Sequence, residues 1–258
     1  MPQLKYLAST ILIITAGILI FTTASARLQT GANQQQNATV ENPDFSRFPI
    51  VDFYEPEPLD PNERKVREAK GRRYGNRPRP KFTDESFQNF TSNDWDVGLP
   101  AFPVERSAAV VIGKVTSAKA HLTPNKAEIY SEFRIDIDAV VKNDPANSIK
   151  NDDTITVERK GGRVRMPSGR LVLSWVTHQN MPRLGGRYLL FLTHDFETPN
   201  DTGKDFYILT GYELRDGLVH MLDDTLPGHP ITRYKGKTET TLLSDLFNTV
   251  AKTSNLSN

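Results

Sequence analysis

The sequence predicts a mainly β protein: a small antiparallel closed barrel with a C-terminal helix, preceded by a disordered leader. Three patterns predict it. The first is Leu184-Gly185-Gly186-Arg187-Tyr188-Leu189-Leu190-Phe191-Leu192, the densest apolar run outside the N-terminus. Side chains alternate along a strand, so Tyr188, Leu190 and Leu192 point one way and Leu189, Phe191 and Thr193 the other. Large apolar groups on both sides require cover on both faces, as for an interior strand of a small barrel. The second pattern is the alternation of Ile129, Ser131, Phe133, Ile135, Ile137 and Ala139 with Tyr130, Glu132, Arg134, Asp136 and Asp138. Period two over this length means one dry face and one wet face, hence an antiparallel sheet. The third is Leu242, Leu243, Leu246, Phe247 and Val250, which fall at helical spacing on one face, with Thr240 or Thr241 as N-cap.

With 258 residues, seventeen prolines, a mean hydropathy of −0.48 and 37% hydrophobic residues, the composition suits one folded core plus unfolded segments. The boundaries read as 1–26 signal or anchor, 27–98 leader, 99–225 barrel, and 226–258 helix and tail. Lys5, the uncharged run Tyr6 to Ala26 and the small residues Ala24-Ser25-Ala26 before Arg27 make a secretory signal, so the expected location is secreted or periplasmic. The alternative is a single uncleaved anchor facing outward, since a spanning helix needs about 20 apolar residues. No cysteine is present, which excludes disulfides and lipid attachment through a thiol. The formal net charge of +1 supplies no general field toward polyanions, and export removes the chain from intracellular nucleic acid, so no nucleic-acid partner is expected.

The leader is polar and proline-rich, and it divides by charge. Residues 41–60 are mainly acidic, whereas Arg64, Lys65, Arg67, Lys70, Arg72, Arg73, Arg77, Arg79 and Lys81 face only Glu63 and Glu68 within their span. Such a block is a solvated linker that folds back on the acidic half of the leader, or a tether to an anionic envelope.

In the barrel the first strand is Ala108 to Val115, with Gly113 permitting a bulge or bend. After the alternating strand, Asn143-Asp144-Pro145 and Asn151-Asp152-Asp153 turn the chain into Thr154 to Arg159, closed by Gly161-Gly162. Residues 163–183 predict a short strand or irregular cover. Phe206 to Leu209 and Tyr212 to Arg215 then meet Leu218 to Leu222 across Asp216-Gly217, a pair that favours positive φ and so a tight hairpin. The terminal helix should close an end or edge of the barrel.

No His-Glu-x-x-His, Gly-x-Ser-x-Gly or glycine-rich phosphate loop occurs, so no catalytic residue, metal ligand or cofactor is assigned. The five histidines are scattered, and Asp195, Glu197, Asp201 and Asp205 lack the spacing of a calcium loop.

Val110-Val111-Ile112-Gly113-Lys114-Val115, the strand ending in Val140-Val141-Lys142, Thr154-Ile155-Thr156-Val157, Gly186 to Leu192 and the Asp216-Gly217 hairpin before a helix together resemble an OB-type barrel. In particular the chain is similar, over about Leu99 to Lys252, to the netrin-like domains that include the tissue inhibitors of metalloproteinases, and to their cysteine-free relatives among exported bacterial proteins. The animal inhibitors bind protease zinc through an N-terminal cysteine; this chain has none and carries a long leader, so that mechanism does not transfer. OB barrels bind on the face of strands two and three and with the loops joining strands one to two and four to five. The resemblance therefore implies a ligand site at Tyr130 and Arg134, with His121 and His194 in the flanking loops; the plainer alternative is that Tyr130 and Arg134 shield a sheet face. The expected function is a secreted or periplasmic binding module for a protein or cell-envelope polymer. Alternatives are an envelope-tethered spacer held by the basic leader and an enzyme of unrecognised type. A membrane partner follows only if residues 1–26 are retained.

Overall fold

The computed structural model describes residues 44–75, 81–84, 90–92, 96, 98–194, 205–225 and 228–256. In chain order these form a 3₁₀ turn at Phe45–Arg47, β1 (Ile50–Asp52), α1 (Pro61–Tyr74), β2 (Phe90–Ser92), β3 (Ala109–Leu122), β4 (Ile129–Lys142), β5 (Thr154–Lys160), β6 (Gly162–Arg165), β7 (Leu171–Val176), β8 (Arg187–Thr193), β9 (Phe206–Arg215), β10 (Leu218–Met221), a second 3₁₀ turn at Pro230–Tyr234, and α2 (Glu239–Leu256). The signal or anchor region 1–26 and the first part of the leader lie outside the described residues.

Pairing runs β3–β4–β5–β9–β8 and returns to β3, closing a five-stranded OB-like barrel. A ring with an odd number of strands cannot alternate direction all the way round, so at least one neighbouring pair must be parallel. Here it is β5 with β9, where Val157 lies opposite Phe206 and Glu158 opposite Tyr207. The expected antiparallel barrel is thereby corrected to a mixed one. Register shifts at Ile112/Gly113 and Val115/Ser117 bend β3 as it serves both β4 and β8. The stretch 163–183 contributes most of the antiparallel β6–β7 hairpin, which β1 and β2 flank in parallel to make a second, four-stranded sheet.

The strand β8 is covered on both faces, as its pattern required. Tyr188, Leu190 and Leu192 join Val111, Val115, Phe133, Ile135, Val157 and Ile208 inside the barrel. Leu189 and Phe191 belong to an outer cluster with Val110, Ile112, Tyr212, Leu214, Val219, Leu242 and Leu246. The strand begins at Arg187 rather than Leu184, because Gly185 takes a φ of +79° and Leu184 is left 67% exposed. Asp216 and Gly217 adopt φ of 55° and 73°, and Arg215 pairs with Leu218 across them, the expected hairpin.

Helix α2 packs Leu242 and Leu246 into the outer apolar cluster and lies beside β4 and β10, the edge strand of the six-stranded order, so of the expected end or edge it is an edge that it covers. Leu242 and Leu246 are fully buried, but Phe247 is 53% exposed, so the apolar stripe is narrower than its spacing suggested. The hydroxyl that caps α2 comes from Thr238, which accepts from the Thr241 amide at 3.3 Å.

The leader departs most from expectation. Of residues 27–98, read as disordered, 44–75 fold onto the rest of the chain. Phe48 is buried in the interior cluster and Val51 under the second sheet. Asp60 caps α1 by accepting from the Asn62 amide at 2.9 Å, and Pro61 occupies the first helical position, where its missing N–H costs nothing.

Candidate binding site

Helix α1 has no apolar stripe: Val66 is 51% exposed, and the buried residues are Lys70, Gly71, Arg73 and Tyr74. A polar helix of this length is marginal alone and must be held by specific contacts. They lie on β4, β5, the loop joining β3 to β4, the start of β9 and the end of β3, where His121, expected in a flanking loop, is a strand residue. Gly71 packs so closely on Pro124 that an added Cβ would sit 2.4 Å from its Cδ, and Asn125 donates to the Gly75 carbonyl at 3.2 Å where the helix ends. Upstream, Lys126 lies over the Phe53 ring at 4.1 Å and donates to the Phe53 carbonyl at 3.2 Å.

Besides the exposed pairs Arg64–Glu57 and Arg72–Glu68, three cations of α1 face acidic residues. Lys70 Nζ lies 2.6 Å from Glu132 Oε1 and 2.7 Å from Glu158 Oε1. Arg73 donates to Asp205 Oδ2 at 2.9 Å and to Glu158 at 3.3 Å. Arg67 bridges Glu55 Oε2 at 2.5 Å and His121 Nδ1 at 2.9 Å. Since a guanidinium only donates, Nδ1 of His121 accepts and Nε2, 3.2 Å from Glu132 Oε2, carries the ring proton. The Tyr74 ring stacks on Tyr130 at 4.8 Å with 8° between planes, and its hydroxyl donates to Glu158 Oε2 at 3.0 Å. Arg73 also lies over the Tyr207 ring at 5.4 Å.

Burial and charge compete at these carboxylates. Burial alone would raise the Glu132 carboxyl, but hydrogen bonds from His121 and Lys70 outweigh it and hold it down to about 2. At Glu158 burial prevails, and the Lys70 and Arg73 charges only partly offset it, so its carboxyl lies above the usual range. Lys70 loses solvation by burial, yet Glu158 and Glu132 hold its ammonium well above the ordinary lysine value. Burial and then the nearby carboxylates raise both tyrosine hydroxyls, with Glu158 acting on Tyr74 and Glu132 on Tyr130, so each stays a neutral stacking and donor group.

The four residues expected to bind ligand divide accordingly. His121 and Tyr130 come together under α1; Tyr130, expected on the wet face, is 1% exposed because Tyr74 covers it. Arg134 sits on the same face of β4 and stays exposed. Among the described residues His194 joins the cluster through the Asp205 backbone: Nδ1 is 3.0 Å from the Asp205 carbonyl, Nε2 is 2.9 Å from Asp144, and the ring stacks on Phe206. It anchors the β8–β9 connection and does not line the site; residues 195–204 of that loop lie outside the described residues.

Sequence reasoning did not single out Lys70, Arg73, Tyr74 and Glu158. The signal was present in the Asp60-Pro61 start followed by Lys70, Arg73 and Tyr74 at positions i, i+3 and i+4. Without an apolar period the helix looked like linker. Among the described residues no three His, Asp or Glu side chains are grouped to hold a metal ion, and no helix is long and apolar enough to cross a membrane.

The fold and site define a cysteine-free OB-like barrel whose usual ligand face carries an acidic, tyrosine-rich surface. No family model, curated protein or solved structure matches the chain.

Proposed function

We propose that the chain is an exported binding module that recognises a positively charged protein through β4, β5, the β3–β4 loop and Asp205. The observation that carries this reading is the occupation of that face by Lys70, Arg73 and Tyr74 against Glu132, Glu158, Asp205 and Tyr130, a working example of what the surface accepts. The OB-like strand order supports the reading as a matter of fold, since OB barrels take ligands on this face. Location in the periplasm or outside the cell rests on residues 1–26; retention of that segment would place the same module on a membrane, facing outward.

An anionic envelope polymer suits this face poorly, because its charges would meet the carboxylates of Glu132, Glu158 and Asp205. The spacer alternative is weakened too. Of the nine cations from Arg64 to Lys81, Arg67, Lys70 and Arg73 are engaged by this chain's own carboxylates and do not face outward.

Site-specific photo-crosslinking in the producing cell tests the proposal. A photoreactive residue replacing the exposed Arg134 should form adducts with basic proteins, and the same group replacing Phe247 on α2 should not. Equal adducts at both positions, or adducts at Arg134 with carbohydrate alone, would overturn it.

A further inference from the structure

The contacts of α1 have an unusual character for a structural helix. They consist of ion pairs, hydrogen bonds and aromatic contacts, with the seating of Gly71 on the Pro124 ring as the aliphatic contact and no large aliphatic side chain of the helix buried. Lifting α1 would bare Glu132, Glu158, Asp205, Tyr130 and Tyr207, which water can solvate, and would leave the barrel interior of Val111, Phe133, Leu190 and Ile208 closed. The helix also sits on β4, β5 and the Pro124-Asn125 loop, the surface with which OB barrels take their ligands. Its seat is reversible by charge, and the acidic face beneath is complementary to cations, not to anions or apolar segments.

We infer that α1 is an intramolecular stand-in for the true partner, and that the partner presents a basic helical segment carrying Lys or Arg beside a tyrosine, spaced as in Lys70, Arg73 and Tyr74. Binding then proceeds by exchange: the partner's helix takes the carboxylates and the Tyr130 ring, and α1 leaves. This rests on the binding-module reading above and adds the chemistry and the competition. A tethered segment acts at an effective concentration of the order of mM. The partner's apparent affinity is therefore reduced by the fraction of molecules with α1 undocked, and unseating α1 should restore it by about 10- to 100-fold.

The probe is a fluorescent peptide of residues 58–77, titrated into the full chain and into its Gly71→Leu variant, whose added side chain would collide with Pro124 and leave every receiving residue intact. The peptide should bind Gly71→Leu at least tenfold more tightly than the wild type, lose that binding in high salt, and lose it again when Glu132→Gln and Glu158→Gln are added. A scrambled peptide of equal charge should bind at least tenfold more weakly than the native order. Equal affinity for both chains, or for both peptides, overturns the inference and leaves the binding module standing if the Arg134 adducts persist.

A second readout protects against a variant that misfolds. In the wild type, excess unlabelled peptide should speed amide hydrogen exchange within Pro61–Tyr74 and leave Ile129–Lys142 protected. Unchanged exchange in α1 at saturating peptide would mean that the helix is a fixed part of the domain, against the inference.

Discussion

Removing the charge of Glu132 should weaken the protein at neutral pH and have no effect in acid. The Glu132 carboxyl faces Lys70 of α1 and His121 of β3, with Tyr130 on its own strand and the Lys70-linked Glu158 on β5. Its value of about 2 in the fold against 4.5 in the free side chain is a depression, so the stability it supplies is present above about 4.5 and is lost as pH falls toward 2. A difference of two and a half units corresponds to ~3 kcal/mol at 1.36 kcal/mol per unit. If α1 lets go first, the docking free energy caps the loss. Urea unfolding of wild type and Glu132→Gln at a series of pH values measures it. Glu132→Gln should be less stable by up to ~3 kcal/mol at pH 7, with the two curves converging as pH approaches 2. A constant gap between the curves, or none at pH 7, would refute the assignment of that charge to holding α1. Above the lysine range the opposite trend applies: Lys70 is raised in the fold, so its contribution persists below its ordinary value and fades only in strong alkali.

Four further substitutions probe the scaffold. Phe191→Ala removes a fully buried ring between β8 and the outer cluster and should cost about 3 to 5 kcal/mol in urea unfolding; a loss under about 1 would contradict its place in the core. Leu246→Asp should detach α2 and cause association seen by light scattering, whereas Phe247→Asp, at a half-exposed position, should change the melting temperature little; equal effects would deny that Leu246 faces the barrel and Phe247 does not. Asp223→Ala leaves the buried Arg159 without the carboxylate it meets at 2.8 Å and should cost about 3 to 5 kcal/mol; near-neutral behaviour would mean that water satisfies Arg159.

The barrel was legible where burial leaves a period in the chain. Phe133, Ile135 and Ile137 alternate with exposed Arg134, Asp136 and Asp138, and the sheet follows from that. The same alternation misplaced Tyr130, because a local period cannot report that Tyr74, fifty-six positions earlier, lies on top of it. The Asp216-Gly217 hairpin was readable because its turn needs positive φ, a demand made by the two residues themselves. The β5–β9 parallel pair was not: it follows from closing an odd ring, a property of the whole barrel. Helix α1 escaped for a third reason. Its stability comes from carboxylates on Glu132, Glu158 and Asp205, distant in sequence, so its own residues carry capping signals but no hydrophobic period.

The docking of α1 on the OB face is the claim on which the proposed site depends, and brief trypsin digestion of the native chain tests it most directly. Lys70 and Arg73 are each 8% exposed and held in ion pairs, so the bonds after Lys70 and Arg73 should resist cleavage at low salt, with Pro61–Tyr74 remaining attached to the barrel. Cleavage at Lys70, Arg72 and Arg73 as fast as in the free peptide of residues 58–77 would contradict the account.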